Sequence, residues 1–332
     1  MLRILRRVHI GFMSAFCAAL VMGSITLFSP EAFAQSFPTK PVRIVVTMAP
    51  GGGPDVMSRL LGPKLSQGLG QPIVIDNRGG ASGKIATELV ARSAPDGYNI
   101  LIVSGTQTIV EALYKDYQYS LDRDFTAISL LGVVPQIMAV NPSLPATSIK
   151  EFVALAKSKP GVIKYGSGGT GGNTHLSPEL FKFMTGIDIL HVPYKGNTAA
   201  FTGVMTGEVD MTIQSMTGLM PHIKSGRLRA LGVTTPKRTP MLPDLPSISE
   251  TVPGYEWFGF YALVVPAKTP PAVVAKLNTE VVKAVNAPEV RERMRVLGID
   301  ALGTSAKEAA SFLSAHVKRM KEVVAMVGVK PN

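Results

Sequence analysis

The chain has 332 residues, enough for about two ordinary domains and a sizeable core. Hydrophobic residues make up 46% and charged residues 17%, with 32 Gly, 25 Pro and no low-complexity tract, which excludes disordered and collagen-like chains. Thirty-four Lys and Arg against 23 Asp and Glu give a formal charge of +11, which suits nucleic acid, an anionic surface or an anionic ligand and does not choose among them.

Residues 1–34 read as a secretory signal. Arg3, Arg6 and Arg7 form a basic start, an apolar run extends from about Ile10 to Phe28, and Ala32-Phe33-Ala34 supplies the small-x-small pattern before cleavage at Gln35. The alternative is an uncleaved anchor, since the run is nearly long enough to span a bilayer. The one cysteine, Cys17, lies in mid-run, where a lipoprotein cysteine would not stand, so the mature chain is expected to be exported, soluble and free of cysteine.

From Pro41 onward, short β-branched runs alternate with amphipathic ones, the pattern of strand-helix units on parallel sheets. Arg43–Thr47 predicts a buried strand that ends in a glycine-rich turn, Ala49–Asp55, ahead of helically spaced Val56, Leu60, Leu61 and Leu65. Strands are expected at Pro72–Asp76 and Tyr98–Ser104, with a helix from about Gly83 to Ser93 between them. Ser104–Thr108 then reads as a hydroxyl-rich loop. A strand at about Ser129–Val140 leads to the turn-rich Asn141–Pro145, a candidate crossing between domains. The pattern then restarts. A capping box of Ser148 and Glu151 precedes a helix, and strands follow at Ile163–Tyr165, Ile189–Val192, Val209–Ile213 and Leu228–Thr234. Thr235–Pro253 is a long proline-rich loop, and Gly259–Val265 a returning strand. Two helices close the chain, one after Pro270-Pro271 and one from Ser305 with Glu308 in a second capping box.

This pattern predicts an α/β fold of two lobes joined by two crossing segments: residues 35–135 with 258–332, and residues 136–257. Ligands of open α/β sheets bind beyond the carboxyl ends of the strands, so the site is expected in the strand-to-helix loops of both lobes. The strongest feature is Tyr165–Thr174, with Ser167, Gly168, Gly169, Thr170, Gly171, Asn173 and His175 at a helix start, where backbone N–H groups and the helix dipole favour an anion. Met48, Ala49, Pro50, Gly51, Gly52 and Asp55 form a second cradle from the other lobe. Ser104, Thr106 and Thr108 add hydroxyls, and Tyr194 and Lys195 a phenol and a cation.

Gly166, Gly168 and Gly171 match G-x-G-x-x-G, but Asp188 precedes the next strand where ribose recognition needs an acid at its end, so no dinucleotide cofactor is expected. His175, His191, His222 and His316 lack metal-ligand spacing, and no G-x-S-x-G elbow surrounds Ser167. A scattered Ser-His-Asp set in an exported hydrolase of carboxylic esters or amides, using the same cleft, remains the alternative to a non-enzymatic binding protein. The densest basic stretches, Lys224–Arg229 and Arg291–Arg295, carry no aromatics, which argues against nucleic acid.

Several of these residues recur as an ordered set: Pro41–Val46 leading to Pro50–Asp55, Gly70–Arg78, Ala94–Tyr98, Lys164–Gly168, His175-Leu176 with Glu179–Phe181, His191–Gly196, and Pro221–Ile223 with Gly226–Leu231. Over essentially the whole mature chain this set resembles the Bug-type extracytoplasmic solute receptors of tripartite tricarboxylate transporters. The resemblance implies a type II-like, Venus flytrap periplasmic binding protein that closes on a small mono-, di- or tricarboxylate, aromatic ones included. It also implies a monomer that delivers its ligand to a two-subunit membrane permease or to a sensor. The two glycine loops would grip one carboxylate, with Ser104–Thr108, Tyr194–Gly196 and Gln214-Ser215 shaping the rest. Two departures stand out: Met48 replaces an aromatic, and Gln214-Ser215 replaces Asp-Asn, which disfavours an amino-acid ligand.

Overall fold

The computed structural model describes residues 37–114 and 117–329, so the expected export segment, residues 1–34, lies outside them. The apolar run after Pro41 forms β1 (Val42–Val46), which parallels β2 (Ile73–Asn77) on one side and β3 (Asn99–Ser104) on the other. Helices α1 (Gly53–Leu69) and α2 (Lys84–Ala91) connect them, giving the expected βαβαβ start. Val42, Ile44, Val45 and Val46 are fully buried, which is why β1 reads as a continuous apolar run and not as an alternation.

Ser104–Thr108, expected as a loop, instead opens α3 (Gly105–Leu113). Ser104 is its N-cap, Gln107 completes the capping box, and Ile109, Val110 and Leu113 bury the inner face. After the short α4 (Leu121–Asp124), β4 runs for 16 residues, Phe125–Val140, starting earlier than the expected Ser129. The second half contains α5 (Ile149–Ser158), β5 (Lys164–Ser167), α6 (Asn173–Thr185), β6 (Leu190–Pro193) and α7 (Asn197–Thr206). It continues through β7 (Met211–Ser215), α8 (Met216–Lys224) and β8 (Arg229–Val233) to the returning β9 (Phe258–Pro266). Three helices close the chain where two were expected: α9 (Pro271–Asn286), α10 (Pro288–Val296) and, after β10 (Asp300–Ala301), α11 (Ala306–Val327). Pro288 restarts the helix, and the charged α10 buries only Val290 and Met294, too little to stand out as an amphipathic run.

β4 carries the topology. Phe125–Pro135 pairs antiparallel with β9, which also pairs with β3, and β10 joins at Gly132 and Val133. From Gln136 to Val140 the partners become β7 and β8, with β5 and β6 continuing parallel beyond β7. The partner change therefore falls inside a strand, between Pro135 and Gln136, and not at Asn141–Pro145. Register shifts between Ala127 and Ser129 and between Leu130 and Gly132 mark bulges, which add twist and curl the mixed sheet. The result is the two-lobed α/β architecture.

Each half has its own core, and α11 enters both. Ala309, Leu313 and Val317 pack with Val45, Leu101 and Val264 of the first half. Met320 and Val323 pack in the cluster of Phe152, Tyr165 and Phe181 of the second. The Ser305–Glu308 capping box at its start is present, whereas at α5 Ser148 caps Glu151 N–H but the Glu151 carboxylate turns to Thr147, so that box is incomplete. Among the described residues no helix is long and apolar enough to cross a membrane.

Ile137, fully buried just past the partner change, packs with Val204, Val209 and Leu219. Ile137→Ala should destabilise the fold by about 2–5 kcal/mol through lost burial and a residual cavity, read as a lower urea midpoint at unchanged slope.

Candidate functional site

In both halves the chain leaves a strand at its carboxyl end and enters a helix within a few residues, so helix N-termini gather beside the crossing strands. A cleft of about 270 Å³ lies there. Gly53 and Pro54 line it from the first turn of α1, and Ser104, Gly105 and Thr106 from the start of α3. Asn173 and Thr174 of α6, Asn197 of α7 and Ser215, the N-cap of α8, line it from the second half. Met48, β4 residues Val134 and Gln136, and β9 residues Gly259, Phe260 and Tyr261 complete the wall.

None of these residues is charged. First-turn N–H groups have no acceptor within their helix, and each helix N-terminus carries partial positive charge. Five of them meeting in a cleft without a counter-charge form an arrangement that favours an anion. A larger groove of about 510 Å³ beside Met216, Met220, Met241 and Leu242 meets only the start of α8 and has no such convergence. Tyr261 adds a neutral donor, since burial pushes its phenol up to about 12. A Cβ on Gly53 would overlap the Tyr261 hydroxyl, so the close approach of α1 to β9 requires glycine there.

The first glycine turn is held from within. Gly51, at a φ of 85°, donates its N–H to Asp55 Oδ2 at 2.9 Å, and Gly52 N–H donates to Ala49 O at 3.2 Å. Asp55 is only 2% exposed, and its Oδ1 accepts from Arg59 Nε and Asn77 Nδ2, both at 3.0 Å. Burial alone would raise its pKa, but the bonds from Arg59, Gly51 and Asn77 outweigh burial and hold the carboxyl below its ordinary value. Asp55 therefore holds the turn. Ala49, Pro50, Gly51 and Gly52 shape that turn and do not line the cleft, whereas Met48 does.

The second glycine loop is also internally bonded. Gly168 N–H donates to Thr174 Oγ1 at 2.9 Å, Gly169 N–H to Ser167 Oγ at 3.2 Å, and Gly171 N–H to His175 Nδ1 at 2.9 Å. These glycine donors, expected to face a carboxylate, are spent on the loop, and the next turn, Asn173-Thr174, meets the cleft. Thr170 and Gly171 line a second cavity of about 300 Å³ with Ile109, Val110, Leu113 and Tyr114; it shares Thr106 and Asn173 with the cleft. A stack backs the loop. Fully buried Ser167 has Oγ 2.6 Å from His191 Nε2, and His191 lies between His175, at 3.9 Å between centroids, and Tyr165, at 4.9 Å. Tyr165 donates to Glu179, which also binds Lys182.

The remaining expected residues point elsewhere. Thr108 is fully buried, donating to Gly105 O and lying 3.1 Å from His316 Nδ1 of α11. Gln214 is spent on Asn197 O and Thr212 Oγ1, while its neighbour Ser215 meets the cleft. Tyr194 folds its phenol back onto Gly203 of α7, and Lys195 is exposed outside the cleft. Ser215 was expected beside Gln214 from the family resemblance, whereas Asn197, although the strand-to-helix rule covers it, was not among the expected residues, and neither were Gln136 and Tyr261, whose only signal is a polar group inside an apolar strand.

Burial first, then neighbouring His175, depresses His191 to about 4, and burial lowers His175 although Glu179 opposes it. Because His175 Nδ1 accepts the Gly171 N–H, that ring is neutral. A histidine whose folded pKa lies below its unfolded value of about 6.5 favours the unfolded state when protonated. Its stabilisation is complete above about pH 6.5 and is lost as pH falls toward 4. Melting curves should show a lower melting temperature at pH 5 than at pH 7.5, and His191→Gln should reduce that difference.

Residues 57–329 match the sequence model of the tripartite tricarboxylate transporter family receptor. Protein BugT of Bordetella pertussis is 32% identical over 302 residues, covering 90% of this chain and 92% of BugT. Among solved structures, R. palustris Rpa4515 with adipate is 36% identical with a TM-score of 0.76, covering 89% of this chain and all of that one. MatC (Rpa3494) from Rhodopseudomonas palustris with bound malate is 30% identical with a TM-score of 0.72, covering 87% of this chain and all of that one. The family-model match takes in residues 57–329, well over half of the sequence, and the chain belongs to the tripartite tricarboxylate transporter receptor family.

Proposed function

We propose that this chain is a periplasmic solute-binding receptor that captures a small organic carboxylate in the cleft between its two halves and delivers it to a two-subunit permease of the tripartite tricarboxylate type. The observation that carries this reading is the convergence of five helix N-termini, from both halves, on a cleft lined by no charged residue. Such a site stabilises a carboxylate through backbone N–H groups and dipoles. The adipate and malate carried by two relatives support the same ligand class. The exported form begins after Ala34 and acts as a monomer. One lobe comprises residues 35–135 and 258–332 and the other residues 136–257. The ligand stabilises a closed form by touching both, because only differential contact shifts such an equilibrium. Met48, Ser104, Thr106 and Asn173 are ligand-facing residues in this reading, and the two glycine turns hold them in place.

A thermal-shift screen of organic anions tests the class. At about 100 times its dissociation constant, the ligand should add about 2.7 kcal/mol of stability. A rise with a sugar and none with any carboxylate would refute the reading. Asn173→Asp tests the mechanism with almost no change of shape. An acidic residue in the first turn of α6 leaves the melting temperature unchanged or slightly raised. Beside a bound carboxylate it should weaken affinity at least about tenfold, or about 1.4 kcal/mol, measured by calorimetry.

A further inference from the structure

We propose that the second cavity, beside the cleft, takes the tail of the ligand and makes this receptor selective for monocarboxylates with an apolar chain or ring; the proposal rests on the reading of the cleft as a carboxylate site. Both spaces lie along one face of α3. Thr106, Ile109, Val110 and Leu113 follow the i, i+3, i+4, i+7 spacing of a single helical stripe, and all four line the second cavity, of about 300 Å³. Thr106 also lines the cleft, so the stripe starts at the anion-favouring end of the helix and continues into the cavity. Asn173, from the first turn of α6, is the other residue common to the two spaces, and both it and Thr106 are half-buried. The other wall is the 170–172 loop of the second half, where a Cβ on Gly171 would meet Leu113 Cδ1 at 3.6 Å.

No charged side chain lines the second cavity. Lys84 of α2 holds its Nζ 3.5 Å from the centroid of the Tyr114 ring and does not enter the lining, so a second carboxylate meets no cation there. Ser82 and Thr170 bring hydroxyls, but both residues are exposed and lie at the mouth. The polarity of α3 also opposes a second anion: its N-terminus, at Gly105 and Thr106, favours negative charge, and its C-terminus, at Leu113, disfavours it. The Gly171 N–H, a donor that would serve an anion, is given to His175 Nδ1. What the cavity offers is the apolar stripe of Ile109, Val110 and Leu113, and burying methylene or aromatic groups against it is favourable in proportion to the area removed from water. From Thr106 to Leu113 the helix rises about 10 Å, at about 1.5 Å per residue, which suits a medium-length acyl chain or an arylalkyl group. The carboxylate thus stays among the helix N-termini, while α3 sorts ligands by what they carry at the other end.

The test is calorimetry with propanoate, hexanoate and adipate: hexanoate adds chain length to propanoate, and adipate keeps that length with a second carboxylate in place of the terminal methyl. Hexanoate should bind at least about tenfold tighter than either. Val110→Phe, which fills the cavity, should bring the hexanoate-to-propanoate ratio close to one. Val110→Ala, which enlarges it, should move the optimum from hexanoate toward octanoate, with melting temperature as the check on folding of both variants. Adipate binding as tightly as hexanoate, or a hexanoate preference untouched by both substitutions, would overturn the tail pocket while leaving the carboxylate site intact. So would another carboxylate that binds where none of these three acids does. If no organic carboxylate binds at all, the carboxylate reading itself fails and takes this proposal with it.

Discussion

The continuity of β4 across both sheet halves decides where their helix N-termini meet. Phe125–Pro135 belongs to the ladder with β9, and Gln136–Val140 to the ladder with β7 and β8, so one strand sets the spacing of two sheets. Strand-to-helix turns from each half then approach the same short stretch of β4 and β9. Those turns alone make only ordinary helix starts, and their meeting beside Val134, Gln136 and Tyr261 makes a site. The C-terminal helix reinforces the arrangement, because Leu313 and Val317 sit in one core and Met320 and Val323 in the other. Any hinge motion about β4 must bend α11 or slide it against one of those cores.

The electrostatics follow from that geometry and not from the net charge of +11. Lys195, the cation nearest the candidate loops in sequence, is exposed and outside the cleft, and Arg59 is paired with Asp55. Partial charges fixed by the backbone attract an anion without a mobile lysine that must be ordered on binding. The one buried acid nearby, Asp55, is compensated by Arg59, Asn77 and a glycine N–H, so it stiffens the turn below the cleft and leaves the lining neutral.

Internal bonding of the glycine loops has the same logic. Gly168, Gly169 and Gly171 donate to Thr174, Ser167 and His175, and the His175–His191–Tyr165 stack supports the loop from behind. A loop whose own donors are satisfied has fewer conformations to lose when ligand arrives, which favours binding by preorganisation. It also links the loop to groups that titrate, since the His175 nitrogen that holds Gly171 can do so only while neutral.

The amino-acid pattern was sufficient for the βαβ order, the two glycine turns, the returning strand and the family, because apolar periodicity and ordered motifs are local properties of the chain. It did not decide which of two neighbouring polar residues would face the cleft. Thr106 and Thr108 lie about 200° apart around α3, so packing of that helix against α11 sends one to the cleft and the other to His316. Gln214 and Ser215 stand on opposite faces of β7, and only the helix beside them determines that Ser215 is the one at the cleft. Gln136 and Tyr261 show locally only a polar group inside an apolar strand, which does not say what that group will face. They became site residues only when β4 and β9 crossed between the two halves, because sequence sets the period of a strand or helix while tertiary packing sets its rotation.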